Sequence, residues 1–243
     1  MLFLNVSKTS FLSFALYNAV GESDGSLLIK IDGHSIQQLD FTKFLGIYID
    51  KNLNWFTHIN FLCGQLSAMC FVLFRLRVLA NRDICLSYYH ACFNSKLTYG
   101  IMLWGCSGHR DRIFKLQKRA IRNIAGISTI TSCRSHFRKL KILPLACIYI
   151  LEIICYVKMN IFMFKRNNEY HNYETRNENG LMIPQVNLSR YKSSPKYMGV
   201  KLYNKLPPDL KLICNKKLFR RKVKEFLLLR CFYTVEEYLE CEY

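Results

Sequence analysis

The stretch FLGIYIDKNLNWFTHINFLCGQLSAMCFVLFRLRVLA, Phe44 to Ala80, decides the fold, because the hydrophobic period changes inside it. Phe44 to Ile49 is short, apolar and β-branched, which predicts a strand. From about Trp55 the apolar residues recur at spacings of three and four, which predicts a helix over residues 56–80. Asn81 then reads as the N-cap of a second helix over 82–104. One switch from strand period to helical period predicts an α+β protein, a small antiparallel sheet followed by a helical bundle.

Working outward toward the N-terminus, Ser10 to Leu16 alternates apolar and small polar residues and reads as a strand. Asn18 to Ser26 reads as a loop. Leu27–Ile31, Asp32-Gly33 and His34–Leu39 read as a hairpin, since Asp-Gly supplies the positive φ angles of a tight turn. Toward the C-terminus, a third helix is expected over Asp111–Ile124 after the Gly105 to Gly108 turn, and a short one over Ser132–Leu140. Leu145–Phe164 is apolar nearly all round and should be buried or packed on two sides. Residues 166–200 lose periodicity and read as a long connector closed by Leu202-Tyr203-Asn204-Lys205-Leu206-Pro207-Pro208. A last amphipathic helix runs from about Lys216 to Leu229. Four segments follow: 1–54, 55–165, an irregular linker at 166–215, and a basic C-terminal helix at 216–243.

Apolar residues make up 51% of the 243, ample for a core and too many for a disordered tail. The 35 Lys and Arg against 17 Asp and Glu leave a net charge of +18, which favours a polyanionic partner, nucleic acid or an anionic membrane surface. The longest greasy stretch, Leu143–Val157, is interrupted by Pro144 and Glu152, so no stretch is expected to reach spanning length and no membrane partner is expected. MLFLNVSKTS lacks a basic n-region before an apolar run, so the chain is expected to be intracellular rather than secreted. The 11 cysteines are scattered, without the close pairs of a structural zinc site, and read as reduced core thiols. The six histidines show no metal-ligand spacing, and no metal site is expected.

At 100° per residue the third helix divides cleanly. Ile113, Leu116, Ala120 and Ile124 share one arc, and Lys115, Lys118, Arg119 and Arg122 gather almost opposite, with Arg110 and Arg112 close by. Such a strip can follow a phosphate backbone and release condensed counterions. For one helix, a merely solvated basic face explains the pattern as well. Repetition favours binding: Arg134, Arg138, Lys139 and Lys141 follow, then Lys216, Lys217, Arg220, Arg221, Lys222 and Lys224, with little acidic compensation nearby in sequence. No base-reading motif accompanies them, so contact by backbone and shape is expected. The aromatics Trp55, Tyr88, Tyr89, Tyr99 and Trp104 could stack on bases, but aromatics at such positions are more often core.

Several short motifs occur in one order. Leu4-Asn5-Val6-Ser7-Lys8-Thr9 resembles the Leu-Asn-x-x-Lys-Thr stretch that follows the catalytic hairpin of non-LTR retrotransposon reverse transcriptases. Phe44-Leu45-Gly46-Ile47-Tyr48-Ile49-Asp50, Leu53-Asn54-Trp55 and His58-Ile59 resemble the primer-grip strand and the start of the thumb. Leu97-Thr98-Tyr99-Gly100, Trp104-Gly105 and Leu116 to Arg122 resemble the helical region beyond. Tyr173-Glu174-Thr175-Arg176 and Tyr203-Asn204-Lys205-Leu206-Pro207 resemble the tail of jockey-like, insect-type elements. Each motif is weak alone, and their order carries the resemblance over nearly the whole chain.

The resemblance implies an RNA-directed DNA polymerase using two magnesium ions held by palm aspartates, two of them adjacent. No two aspartates are adjacent anywhere in this sequence. The expectation is a palm edge, thumb and tail without catalytic carboxylates, no bound cofactor, no small-molecule substrate and no polymerase activity. Lys8 matches the lysine on the pyrophosphate side, and Leu45, Gly46 and Ile47 match the primer grip. Arg112, Lys115, Lys118, Arg119, Arg122, Arg138, Lys139, Arg220 and Arg221 are the expected contacts to RNA or DNA, weak and without sequence preference. The rivals are a non-functional remnant of a decayed element, or a fragment docking an intact reverse transcriptase through the Leu145–Phe164 helix.

Overall fold

The computed structural model describes residues 4–14, 27–167 and 180–242, and the chain divides into two units, residues 1–61 and 62–243. The protein is α+β, and among the described residues the strands lie in the first unit. Strand β1 (Ser10–Leu12) pairs in parallel with β4 (Gln37–Leu39), while β2 (Lys30–Ile31) and β3 (His34–Ser35) form a hairpin, as do β5 (Phe41–Phe44) and β6 (Ile47–Asp50). Asp32-Gly33 makes the expected tight turn, with φ of +50° and +79°. The strand expected over Phe44–Ile49 is present but interrupted: Phe44 ends β5, Ile47–Ile49 lie in β6, and Leu45-Gly46 form the turn of the second hairpin. Leu45 and Gly46 take φ of +47° and +85° there, and Phe44 pairs with Ile47. A glycine inside an apolar run had marked a turn rather than a mid-strand kink.

The entry into the first helix hangs on Asp50. Its carboxylate accepts from the backbone N–H of Asn52 at 3.2 Å, Asn54 at 3.1 Å and Trp55 at 2.9 Å. Leu53 and Trp55 sit at φ of +51° and +66°, a conformation costly for side chains of their size. Three charge-assisted bonds from one buried carboxylate hold that turn in place. Two residues into the helix, His58 Nδ1 accepts from Tyr48 N–H at 3.4 Å, and burial lowers its pKa, which keeps the ring neutral and able to accept.

Helix α1 runs Phe56–Leu79, close to expectation. The second expected helix is broken. It comprises α2 (Arg82–Tyr88), a π-helical stretch (Tyr89–Asn94), α3 (Ser95–Thr98) and α4 (Ile101–Trp104). Gly100 at φ +62° interrupts it, and Trp104 Nε1 spans the break by donating to Tyr99 O at 3.0 Å. Then come α5 (Arg110–Ala125), α6 (Arg134–Lys139) and α7 (Leu145–Met159). Eleven of the fifteen residues of α7 are buried, and it packs against α3, α4 and α5, all within the second unit. That burial counts against the Leu145–Phe164 segment as a docking face for a partner, although Met159, Phe162 and Met163 at its end are exposed.

Within the span expected as an irregular linker, 166–215, the described residues include three helices. They are α8 (Ser189–Lys192), α9 (Pro195–Lys205) and α10 (Pro208–Lys211), and Tyr173-Glu174-Thr175-Arg176 lies outside the described residues. Ser194 caps α9 through Tyr197 N–H and Pro195 occupies its first turn, a standard helix start. Gly199 lets α9 approach α7 so closely that an added Cβ would lie 2.7 Å from Val157 Cγ2. Asn204 holds both backbone groups of buried Leu181, accepting at 2.9 Å and donating at 2.7 Å. Finally α11 (Lys216–Arg230) and α12 (Val235–Glu240) return to α7.

The polar centre of this unit is Gln117 of α5, with no exposed surface. Its Nε2 donates to Tyr89 OH at 3.0 Å and Leu143 O at 2.9 Å, and its Oε1 accepts from Leu145 N–H at 2.8 Å. Leu145 is the first residue of α7, so this amide caps that helix from outside it. Gln117→Met keeps the shape and removes every bond. It should cost about 3 kcal/mol, read as a lower urea midpoint at unchanged slope. An unchanged midpoint would mean the amide contributes nothing net.

Candidate nucleic-acid interface

The division of α5 stands largely as the wheel implied. Ile113, Gln117, Ala120, Ile121 and Ile124 are buried, while Arg112, Lys115 and Arg119 are exposed. Lys118 is half-buried, its Nζ 4.8 Å from the Phe114 ring centroid. Arg122 is turned aside, donating to Thr131 O from Nη2 at 3.2 Å, so it tethers the following loop. Leu116, expected on the inner arc, is only half-buried, and its carbonyl accepts from the Cys70 thiol of α1 at 3.4 Å. Asn123 donates to Cys70 O at 2.9 Å, giving a second α1–α5 contact that the hydrophobic pattern could not show.

The other two cationic clusters are less open than their sequences suggested. Arg220 forms a two-point pair with Glu152 of α7, Nη1 to Oε2 at 3.0 Å, across 68 residues of sequence. Arg221 reaches Glu225 at 3.9 Å and Lys222 reaches it at 3.0 Å. The expectation that these clusters lack acidic compensation is therefore corrected. The acids are present but distant in sequence, or a turn away on the same helix. Arg138 donates to Arg230 O at 3.3 Å and Lys139 is exposed, both on α6 beside α5. No carboxylate among the described residues lies within ion-pair distance of Lys115, Lys118 or Arg119.

Two further arginines hold the C-terminal helix. Arg110 meets both oxygens of Glu236 at 3.1 Å, and Arg134 meets Glu237 at 2.6 and 3.2 Å. Thr234 accepts from Glu237 N–H at 3.0 Å and Glu237 accepts from Tyr233 N–H at 2.7 Å, a capping arrangement legible in the run Thr234-Val235-Glu236-Glu237. Tyr233 packs edge-on against Phe114 and Phe137, with the Arg134 guanidinium 4.4 Å over its ring.

The remaining expected site residues belong to the first unit. Lys8 is exposed at the end of a 3₁₀ turn, Val6–Lys8. Leu45 is 74% exposed at the hairpin tip, and Ile47 beside it is buried. Trp104 and Tyr89 are fully buried core, as aromatics usually are, and Tyr99 is exposed. All eleven cysteines are free thiols. Among the described residues no group of three or more His, Cys, Asp or Glu side chains is placed to hold a metal ion.

Fold and site together define an α+β protein with a cationic helix face on its helical unit. No family model, no curated protein and no solved structure matches the chain.

The clamp on α12 should respond to acid. Burial pushes the Glu237 and Glu236 carboxyls up. The arginine bonds and charges, with backbone donors, outweigh it and hold both below the ordinary carboxylate value. A depressed folded pKa stabilises above the unfolded value and is lost as pH falls through the folded one. Amides of residues 233–240 should therefore stay protected near neutrality and lose protection ahead of the α7 amides below about pH 4.5. Glu237→Gln should show the loss at neutral pH. Simultaneous loss in both helices would mean the clamp is not a separate element.

Proposed function

We propose that this chain is the C-terminal portion of a non-LTR type reverse transcriptase, intracellular, which holds RNA or DNA by the phosphate backbone and does not polymerise by itself. The observation that carries the binding half is the α5 face. Lys115 and Arg119 are exposed and Lys118 is half-buried, and no described carboxylate lies within ion-pair distance of these three; Arg112 is exposed on the same helix. Arg110, Arg134 and Arg220, by contrast, are paired with carboxylates of the chain. A helix of this kind offers point charges about 6 Å apart over successive turns and no groups aimed at base edges, which suits backbone contact.

The ordered motifs support the family half, with Leu45 and Gly46 at an exposed hairpin tip able to touch a strand. Lys8 has a solvent-facing ammonium in the same unit. The absence of adjacent aspartates from the sequence supports the lack of polymerisation, since two-metal transfer needs paired carboxylates.

One observation favours the rival reading of a remnant. In the first unit Leu27, Leu28, Phe41, Phe44 and Leu45 are exposed, and few large apolar side chains are buried. Cooperative thermal unfolding of a soluble monomer is the outcome that reading does not expect.

Binding to short RNA, DNA and hybrid duplexes should be saturable and similar across sequences. Neutralising about four phosphates gives a slope of log K against log salt near −3.6 on duplex DNA. Lys115→Glu with Arg119→Glu should remove roughly two units of that slope, while Arg220→Gln should lower stability and leave it unchanged. No saturable binding at low salt by folded protein would end the binding proposal. Nucleotide incorporation on a primed RNA template would end the second half.

A further inference from the structure

Helix α1 is the longest in the chain, 24 residues with no carboxylate in it. Its most apolar 18-residue window has a mean hydropathy of 1.6, yet only 28% of that window is buried. By length and composition it could cross a membrane, which corrects the sequence-based expectation that no stretch reaches spanning length. Low burial sets it apart from an ordinary core helix. One face is spoken for: Leu62, Leu66, Cys70 and Leu73 are buried, and the Cys70 bonds to Leu116 and Asn123 fix it to α5.

The adjoining face is apolar and open. Phe71 is 60% exposed, Phe74 45%, Val78 76% and Leu79 78%. At 100° per residue Phe71, Phe74 and Val78 fall within about 60° of one another, so they form a strip rather than scattered exceptions. Exposed Arg75 flanks the strip about 40° beyond Phe71, and the Arg77 guanidinium lies 5.1 Å from the Phe74 ring centroid.

Charge selects the occupant. A second copy would bring the same two arginines and the same net +18 to a self-complementary interface, placing like charges opposite one another. A nucleic-acid strand would match the arginines but leave Val78 and Leu79 uncovered, since neither has a ring on which a base stacks. An anionic bilayer surface satisfies both, acyl chains covering the apolar residues and headgroups meeting guanidiniums carried on flexible stems. We propose that the Phe71–Leu79 face of α1, with Arg75 and Arg77, docks on an anionic lipid surface. The helix lies in the interface rather than spanning it, because its other face is held by the bundle.

The test is flotation of the full chain with phosphatidylcholine vesicles, with and without about 30% phosphatidylserine. The chain should float with the anionic vesicles and not with the neutral ones. Phe71→Asp with Val78→Asp should lower association by about tenfold or more while leaving thermal unfolding and RNA binding unchanged. Arg75→Gln with Arg77→Gln, which touches no apolar residue, should weaken it and flatten its salt dependence. Wild-type protein that stays below the vesicles overturns the proposal, as does equal flotation of the Phe71→Asp, Val78→Asp protein. Self-association abolished by that variant, without flotation, assigns the face to a second copy and overturns it too.

Discussion

The amide of Gln117 is the constraint on which the helical unit depends. A primary amide in a closed core is tolerable only when its donors and acceptor are matched, and here one side chain joins Tyr89, Leu143 and the first N–H of α7. Three chain segments must converge for that to happen. The same constraint orients the outer surface. With Gln117 turned fully inward, Lys115 and Arg119 on the facing arc of a 100° helix have to point out. The cationic face is therefore a consequence of the core rather than an independent decoration, and a defect at position 117 would blur both.

The second organising contact is the return of the C-terminus. Exposed ion pairs are individually worth little, and Glu236 is largely exposed. What makes α12 a fixed element is the combination of two-point geometry with apolar burial: Tyr238 is fully buried and donates to Leu202 O at 3.1 Å, and Tyr233 packs on Phe114 and Phe137. The rings supply most of the free energy and the arginines supply register. This division explains how a strongly cationic chain can spend several arginines on its own folding and still keep a charged face on α5.

Legibility followed the range of the interactions. The α5 face, the Asp32-Gly33 turn and the extents of α1 and α11 could be read because each is set by neighbours within one or two turns. The Leu45-Gly46 turn was open to the same reasoning but was obscured by apolar residues on both sides. Helix α9 was hidden because its fit to α7 is made at Gly199, a residue that weakens helical patterns and allows close approach. The partners of Arg220 and Arg134 could not be read at all. Glu152 and Glu237 lie 68 and 103 residues away, and no local period encodes a pairing of that range.

Helices α1 and α7 carry this point furthest. Both are apolar on nearly every side, and from composition both ask to be buried. Only α7 is. It is enclosed from three directions because Gln117 fixes its start, Gly199 admits α9, and α11 is drawn in by the Glu152 pair. Helix α1 is tied to α5 by the backbone of Cys70 and by its thiol, while Phe71, Phe74, Val78 and Leu79 stay exposed. Hydropathy measures how much a helix would gain by leaving water, and says nothing about how many partners the fold can bring to it. Where partners run out, the unspent apolar face becomes part of the molecule's surface chemistry, beside the cations of α5. A chain built this way meets its surroundings with charge and with grease at once, so a full account of its function has to explain both.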